Sequence, residues 1–232
     1  IYKKESFSII KSSGFPGVLG GIAMAIGFTA YIFAMRETTF ANVLFIISTQ
    51  TIWLALFGYL FLKERVSFKT LLSIILAMIG IIVMVGGSLG TGSLYGNLAA
   101  LFVPINFAFL ILLIRKYSNL DLVPALFYGG LIIMFFSFFM SETIITSKNN
   151  LIVGFLLGSF QHAFGFICIV IGARSTPAVV VGLLMLVETL LGPLWVWIFL
   201  SEIPPMSVFI GGGIIILAVI FKTLEQKHST DS

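Results

Sequence analysis

The fold of this 232-residue chain is decided by two short matching segments, FLKER at residues 61–65 and FLSEI at residues 199–203. Each segment closes a long apolar run, and the two lie at one ungapped offset of 138 residues (199 minus 61). The same offset pairs Arg36 with Arg174 and Glu64 with Glu202. Only 9% of the residues are charged, so two coincident pairs of charges are not expected by chance. The chain therefore contains an internal repeat.

The composition predicts a membrane protein. Hydrophobic residues make up 59% of the chain and charged residues only 9%. In a soluble domain, about a quarter of the residues are charged. Because so few charges cannot cover a water-facing surface, many apolar side chains must face lipid. The net charge of +4 does not indicate nucleic-acid binding, since the basic residues lie in short loops where anionic headgroups are nearer. The single cysteine, Cys168, excludes an intramolecular disulfide, and no motif predicts a metal or other cofactor.

Eight transmembrane helices, called spans A to H, are predicted by cutting the chain at charges, prolines and polar clusters. Each is close to the roughly 20 residues that cross a bilayer. We place them at residues 15–35, 41–62, 68–87, 97–114, 122–140, 151–173, 178–200 and 206–221. The fold class is accordingly an all-α polytopic membrane protein.

The basic residues indicate the orientation of these spans. The side that holds both termini carries eleven of the 13 Lys and Arg residues, and the other side carries only Arg36 and Lys148. Basic loops stay in the cytoplasm. We therefore expect a multi-pass protein of the cell (inner or plasma) membrane with both termini in the cytoplasm. Its expected partners are the lipid bilayer and a small-molecule substrate. The sequence leaves open whether the chain also forms a homo-oligomer.

The repeat maps spans A, B and C onto spans F, G and H. Five spans separate the start of A from the start of F, and this odd number reverses the second copy, which predicts an inverted-repeat helical bundle like those of many secondary transporters. We divide the chain into an incomplete first unit (1–87), a Gly/Ser-rich joint (88–96), a second unit (97–221) and a cytoplasmic tail (222–232). Because spans D and E have no counterparts in the first unit, we expect a fragment of a ten-helix parent or a short protein that assembles from several chains.

At three segments the sequence resembles a known family. The segments FLKERVS (61–67), FLSEIPP (199–205) and VETLLGPLW (187–195) are similar to the EamA-type repeat of the drug/metabolite transporter superfamily. The resemblance covers nearly the whole chain and matches spans A to H to the third to tenth helices of that family. It implies two inverted five-helix units around a central cavity that moves small metabolites, amino acids or drugs. The present sequence departs from the family by lacking the first two helices.

Glu188, near the middle of span G, is the leading candidate for substrate binding or proton coupling. A carboxylate at that depth is costly and usually faces a cavity, a partner or a proton. The alternative is a neutral Glu188 that hydrogen-bonds a neighbouring helix. Its repeat partner is Gln50 in span B, so one acid and one amide are expected at equivalent depths.

Further polar and aromatic candidates lie in spans B, D, F and G. Imidazole suits proton relay, although interhelical hydrogen bonds explain polar groups in a membrane equally simply. Trp53 follows Gln50, and Trp195 follows Glu188, at helical spacing; such stripes suit a substrate with an apolar body and a charged end, or ordinary packing. The additional substrate or proton-coupling candidates are His162, Gln161, Asn106, Trp53 and Trp195.

Four charged residues are expected to stabilise helix ends. Glu64 and Glu202 precede spans C and H, where a carboxylate can accept hydrogen bonds from exposed backbone N–H groups. Arg36 and Arg174 end spans A and F and can bind terminal carbonyls or lipid headgroups.

Three classes of function remain to be weighed. A secondary transporter that works by alternating access is favoured, since no Walker A motif is present in the sequence to bind ATP. An intramembrane hydrolase would rest on Ser159 and His162, three residues apart in span F. A truncated, inactive or assembly-dependent membrane protein without independent transport is the third.

Overall fold

A computed structural model describes residues 13–86, 89, 92–140, 147–201, 203 and 205–230 of the chain. Within this part all regular structure is helical, and no strand occurs. Span B contains two helices, and span F contains three segments. The bounds are Gly14–Glu37 (A), Phe40–Ser48 and Gln50–Leu62 (B), Phe68–Val85 (C), Leu94–Lys116 (D), Ala125–Met140 (E), Lys148–Leu156, Leu157–Phe164 and Gly165–Ala173 (F), Ala178–Leu200 (G) and Met206–Thr230 (H).

These helices confirm an all-α polytopic membrane protein. Spans A, B, C, D and F are each long and apolar enough to cross a bilayer. Shorter apolar helices at Ala125–Phe139, Ala178–Thr189 and Met206–Lys222 occupy the positions predicted for spans E, G and H. The boundary of span D differs from the prediction: the helix begins at Leu94, inside the expected joint, because the Ser93 hydroxyl accepts a hydrogen bond from the Gly96 N–H and caps it.

Span B is interrupted at Thr49, which the apolar pattern did not predict. The Ser48 hydroxyl donates to the Leu44 carbonyl at 2.7 Å, and the Thr49 hydroxyl donates to the Ile46 carbonyl at 2.6 Å. Side chains that bond back to carbonyls of the preceding turn compete with the helical ladder and often bend it. The second helix of span B then begins at Gln50, so the break adjoins a predicted site residue.

Span F contains a π-helix between two α-helical segments. The π-helix covers Leu157–Phe164 and carries both Gln161 and His162. Such wide turns are rare and occur frequently at functional sites. Neither the π-helix nor the preceding Lys148–Leu156 helix contains a buried residue, whereas the following Gly165–Ala173 helix packs into the core through Phe166 and Val170.

The internal repeat appears in the backbone conformation. Lys63 directly follows the helix of span B and Ser201 directly follows that of span G, and both residues are left-handed, with φ of 56° and 57°. Left-handed conformations are uncommon for residues other than glycine. Lys63 and Ser201 are separated by the same 138 residues (201 minus 63) that relate the two halves of the sequence, so equivalent helices end in the same way.

Repeat-related spans also pack against each other. Spans C and H meet where Gly80 faces Gly211, so closely that a Cβ on Gly80 would lie 2.8 Å from the Gly211 carbonyl oxygen. Spans B and G meet where a Cβ on Gly182 would lie 2.9 Å from the Cα of Thr51. Contact between equivalent elements is what a two-fold axis produces. These contacts are those expected if a pseudo-two-fold axis passes between spans B and G and between spans C and H.

The two halves differ in what covers spans A and F. Span A packs on spans D and E, with Gly21 so close to Tyr128 that an added Cβ would lie 2.5 Å from the Tyr128 Cβ. On span F, by contrast, a Cβ on Gly158 or Gly165 would meet nothing within 4 Å. The glycine-bearing face of span A is thus covered, and its counterpart on span F is open within the described part of the chain.

The path of span D shows that Arg36 and Arg174 lie at opposite ends of the bundle. Next to Arg36, the Glu37 carbonyl accepts a hydrogen bond from the N–H of Ser93, which precedes the first turn of span D. Close to Arg174, the Thr176 carbonyl accepts from Arg115 in the last turn of span D. Below, the end with Arg36 is called the Arg36 end and the other the Arg174 end.

Candidate functional site

The face of span A that carries Phe28 and Tyr31 lies near two predicted site residues. The imidazole of His162 stacks on the Phe28 ring, with centroids 4.8 Å apart and planes 19° from parallel. Tyr31, nearly one turn further along, lies within electrostatic reach of the Glu188 carboxylate. Because residues three apart share a helix face, His162 on span F and Glu188 on span G lie near the same face of span A.

Gln50 lies where the two helices of span B meet. Its side chain is buried, with 9% of the residue exposed, and it follows the interruption at Thr49. Its neighbour Thr51 is also buried and faces Gly182 of span G. Glu188, the repeat partner of Gln50, lies on the helix that crosses here and is more exposed than Gln50. The acid and the amide therefore sit on two repeat-related helices that pack against each other.

Asn106 binds the backbone of span A. Its side-chain N–H donates to the Ala23 carbonyl at 2.5 Å. Gly27 permits this approach, because a Cβ at that position would lie 2.6 Å from the Asn106 nitrogen. Interhelical hydrogen bonds of this kind hold transmembrane helices together. The geometry gives Asn106 a structural partner beside the Phe28 and Tyr31 face.

The remaining predicted candidates are distributed around this face. Trp53 is half-buried against the central apolar core and meets Phe57 edge-on, with centroids 6.3 Å apart. Trp195 is 53% exposed and lies beside Phe199. Gln161 is exposed on the π-helix. Of the two predicted stripes, the one on span B contacts the core, and Trp195 on span G is more exposed.

A cluster of charged and backbone groups closes the Arg174 end; we call it the Glu64 clamp. Glu64 forms an ion pair with Arg115, with 2.5 Å between Oε1 and Nη2. Its other oxygen accepts the N–H of Ala178 at 2.9 Å, and Arg115 also donates to the Thr176 carbonyl. Span G has no side-chain cap of its own, since Pro177 precedes it. Glu64 therefore caps span G, not the adjoining span C, which Ser67 caps.

The other predicted turn residues have different surroundings. Arg174 pairs with Asp121 at 2.8 Å, and the same Asp121 oxygen accepts the Val123 N–H at 3.1 Å. Arg36 is exposed at the end of span A. Glu202 lies outside the described residues.

A neutral polar cluster lies at the Arg36 end; we call it the Asn97 cluster. The Thr38 hydroxyl donates to the Asn97 side-chain oxygen at 2.7 Å. The Asn42 amide donates to both of these oxygens, at 3.1 Å and 3.3 Å. Asn97 belongs to span D of the second unit, whereas Thr38 and Asn42 belong to the first. Polar contacts between the two units thus exist at both ends of the bundle.

Several residues of this arrangement were missed in the sequence, among them Tyr31, Arg115, Asp121 and the three residues of the Asn97 cluster. Tyr31 is a hydroxyl group inside a predicted span, and that signal alone could have marked it. Arg115 and Asp121 lie in the sequence at the two ends of the short connection between spans D and E, so opposite charges were available there. The pattern could not say which acid pairs with which base, because the partners lie on different spans.

The structure gives no support to a hydrolase. No hydrogen bond joins Ser159 to His162 in the residues described, and His162 is stacked on Phe28 instead. Both residues lie in the π-helix, whose wider winding spreads side chains differently around the axis than an α-helix does.

Comparison with known proteins agrees with this architecture. A profile described as the EamA-like transporter family matches residues 1–86 and 90–224. A protein of Clostridium kluyveri described as an uncharacterized transporter is 24% identical over 238 residues, which cover 94% of this chain and 74% of that protein. A crystal structure described only as that of a protein has a TM-score of 0.74 at 16% identity and covers 97% of this chain and 93% of its own; it shows the shared fold. Since the profile spans both halves of the repeat, the chain belongs to the EamA-like transporter family and is a multi-pass membrane transporter.

Proposed function

We propose that this protein is a secondary permease that moves small metabolites, amino acids or drug-like molecules by alternating access. The observation that carries the proposal is the inverted packing of the two units, with polar contacts between them at each end. The Glu64 clamp joins spans B, D and G, and the Asn97 cluster joins spans A, B and D. Alternating access requires that one end open while the other stays closed. Each cluster is suited to hold one end.

Glu188 is the group that we assign to coupling. It lies on span G, within electrostatic reach of Tyr31, and its repeat partner Gln50 is buried at the break in span B. A carboxyl group within a membrane span can exchange a proton, and an amide cannot. The two units therefore differ chemically at equivalent positions. That difference supports a single coupling group at the axis.

The test is uptake into proteoliposomes that contain the purified chain. A labelled amino-acid mixture serves as the probe, first in exchange between the two sides and then driven by an imposed proton gradient. For the Glu188→Gln variant we expect gradient-driven uptake to fall about tenfold or more, the effect of losing one hydrogen bond to a charged group, while exchange persists. Glu37→Gln, which removes an exposed carboxylate at the Arg36 end, serves as the control and should retain both activities.

One outcome would count against the role of Glu188 and a different outcome against transport by the chain alone. Gradient-driven uptake that survives Glu188→Gln would remove Glu188 from coupling. Failure of the unaltered chain to move any component of the probe, under both regimes, would count against independent transport of this substrate class.

A carrier that works only as an assembly is the second candidate. The open face of span F favours it, because Gly158 and Gly165 meet nothing there whereas the equivalent face of span A packs on two helices. If another copy covers that face, transport per molecule should rise with the protein-to-lipid ratio. Gly165→Leu should weaken this dependence, and Gly130→Leu, at another open glycine on span E, should not. A rate per molecule that is independent of density would contradict assembly.

A further inference from the structure

A cleft of about 650 Å³ opens at the Arg174 end, between the start of span E and the end of span F; we call it the Arg174 cleft. Span E packs on span A, and the Gly165–Ala173 helix of span F packs on span D. The cleft lies between these two helices. Asp121 and Arg174 line it, and the other lining residues are apolar.

The apolar wall of the Arg174 cleft extends along span F toward the middle of the bilayer. Ile171 and Ile167 line the cleft and precede Arg174 by three and seven residues, which puts all three on one side of the helix. At the rise of an α-helix, the two isoleucines lie roughly 5 and 10 Å from Arg174 along the axis. Phe127 lines the cleft from the first turn of span E. Ile171 is 62% exposed and Phe127 is 48% exposed, so both are available to a lipid chain.

The Arg174 cleft is separate from the open glycine face of span F. Gly165 and Ile167 are two residues apart on one α-helix, which turns them by roughly 200° about its axis. A helix that covers the glycine face therefore does not fill the cleft.

The two charges of the Arg174 cleft balance each other and still leave polar atoms available. Asp121 Oδ1 accepts hydrogen bonds from Arg174 Nη2 at 2.8 Å and from the Val123 N–H at 3.1 Å. Asp121 Oδ2 has no hydrogen-bond partner in the part of the chain that the structure describes. The Arg174 Nε–H is buried and likewise has no partner among the described residues. The cleft thus offers a free acceptor beside a free donor, at a net charge of zero.

A zwitterionic headgroup complements this pair of charges. An anion would be repelled by Asp121, and a cation would be repelled by Arg174. A phosphoethanolamine group carries both signs side by side: its phosphate can accept hydrogen bonds from the guanidinium, and its ammonium can donate to Asp121 Oδ2. A choline headgroup has the same charges but no N–H to donate. Because Asp121 precedes span E and Arg174 follows the last helix of span F, the pair lies at the ends of two spans, at the level of lipid headgroups.

We propose that the Arg174 cleft binds a phospholipid with a primary-amine headgroup, phosphatidylethanolamine. The phosphate lies on Arg174, the ammonium lies on Asp121, and an acyl chain covers Ile171, Ile167 and Phe127. A soluble zwitterion such as an amino acid matches the two charges but leaves the apolar wall uncovered, which favours the lipid as occupant. The site shares no lining residue with the face that carries Phe28 and Tyr31, and its occupation requires no transport.

Native mass spectrometry of the purified chain in detergent tests the proposal. The probes are phosphatidylethanolamine, phosphatidylcholine and phosphatidylglycerol with identical acyl chains. The unaltered chain should bind phosphatidylethanolamine about tenfold more tightly than phosphatidylcholine, the effect of one hydrogen bond to a charged group. Asp121→Asn should remove most of this preference and strengthen phosphatidylglycerol binding, because Arg174 is then no longer neutralised. A folding defect would weaken all three lipids and would not exchange one preference for another.

Arg174→Gln should weaken binding of all three phospholipids about tenfold, because each carries a phosphate. Arg36→Gln is the matched control: it makes the same change at the repeat-related position, where the side chain is exposed and outside the cleft, and it should bind like the unaltered chain.

Two soluble competitors, glycerophosphoethanolamine and leucine at millimolar concentration, distinguish a lipid from a free zwitterion. If neither displaces the lipid, the apolar wall contributes to binding, as proposed. Displacement by either one would overturn the lipid as occupant. Equal binding of the three phospholipids, an unchanged preference in Asp121→Asn, or equal losses in Arg174→Gln and Arg36→Gln would overturn the site itself.

Discussion

At the scale of single residues, the two ion pairs of the Arg174 end differ in burial. The side chains of Glu64 and Arg115 are 17% and 19% exposed, whereas those of Asp121 and Arg174 are 39% and 32% exposed. Removing one partner of a buried pair leaves an uncompensated charge and costs several kcal/mol. Pairs open to solvent contribute little. The two pairs should therefore respond very differently to the same change.

We predict that Glu64→Gln lowers the free energy of unfolding by about 2 kcal/mol, the buried-pair cost reduced for partial exposure. Asp121→Asn should cost less than about 1 kcal/mol. Denaturant titration of the purified chain in detergent micelles measures both values. Equal effects of the two substitutions would show that burial does not govern these contacts.

At the scale of elements, the close packing of spans C and H depends on Gly211. A Cβ at this position would meet the Gly80 carbonyl oxygen and lie 2.8 Å from the Cβ of Met84. Two residues along the same helix, a Cβ on Gly213 would meet nothing within 4 Å. These two glycines offer the same substitution on opposite faces of one helix.

Gly211→Ala should lower the free energy of unfolding by about 1–3 kcal/mol, because overpacking forces the helices apart. Gly213→Ala should leave it unchanged or raise it by up to about 1 kcal/mol, since alanine is the better helix former. The same detergent titration measures both. A Gly211→Ala variant as stable as Gly213→Ala would place the contact between spans C and H in error.

The helices also show which features of the fold could be predicted from the sequence. Apolar runs correctly predicted an apolar helix at each of the eight positions, five of them long enough to cross a bilayer, because lipid demands helices of about 20 apolar residues. They did not reveal the break at Thr49 or the π-helix of span F, which depend on which hydroxyl binds which carbonyl and leave the composition unchanged. Nor could they assign Glu64 to Ala178, 114 residues away. The sequence alone therefore predicted the repeat and the positions of the helices, but not which residues contact each other.

At the scale of the whole molecule, inversion of the two units requires that Arg36 and Arg174 face opposite sides of the membrane. We predict that a cysteine beside each residue reacts from opposite sides. In a Cys168→Ala background, Glu37→Cys should be labelled by an impermeant maleimide on intact cells. Ser175→Cys should be labelled only after the membrane is opened. Labelling of both positions from one side would contradict the inverted repeat.

The capping of span G by Glu64 also bears on how the protein is made. Glu64 leaves the ribosome 114 residues ahead of Ala178, or roughly 6–23 s earlier at ordinary rates of synthesis. The first half is thus synthesised before span G, which emerges without a cap of its own. Span G gains its N-terminal cap only when it packs against Glu64 of the first half. The order of synthesis therefore sets the order in which the two halves assemble.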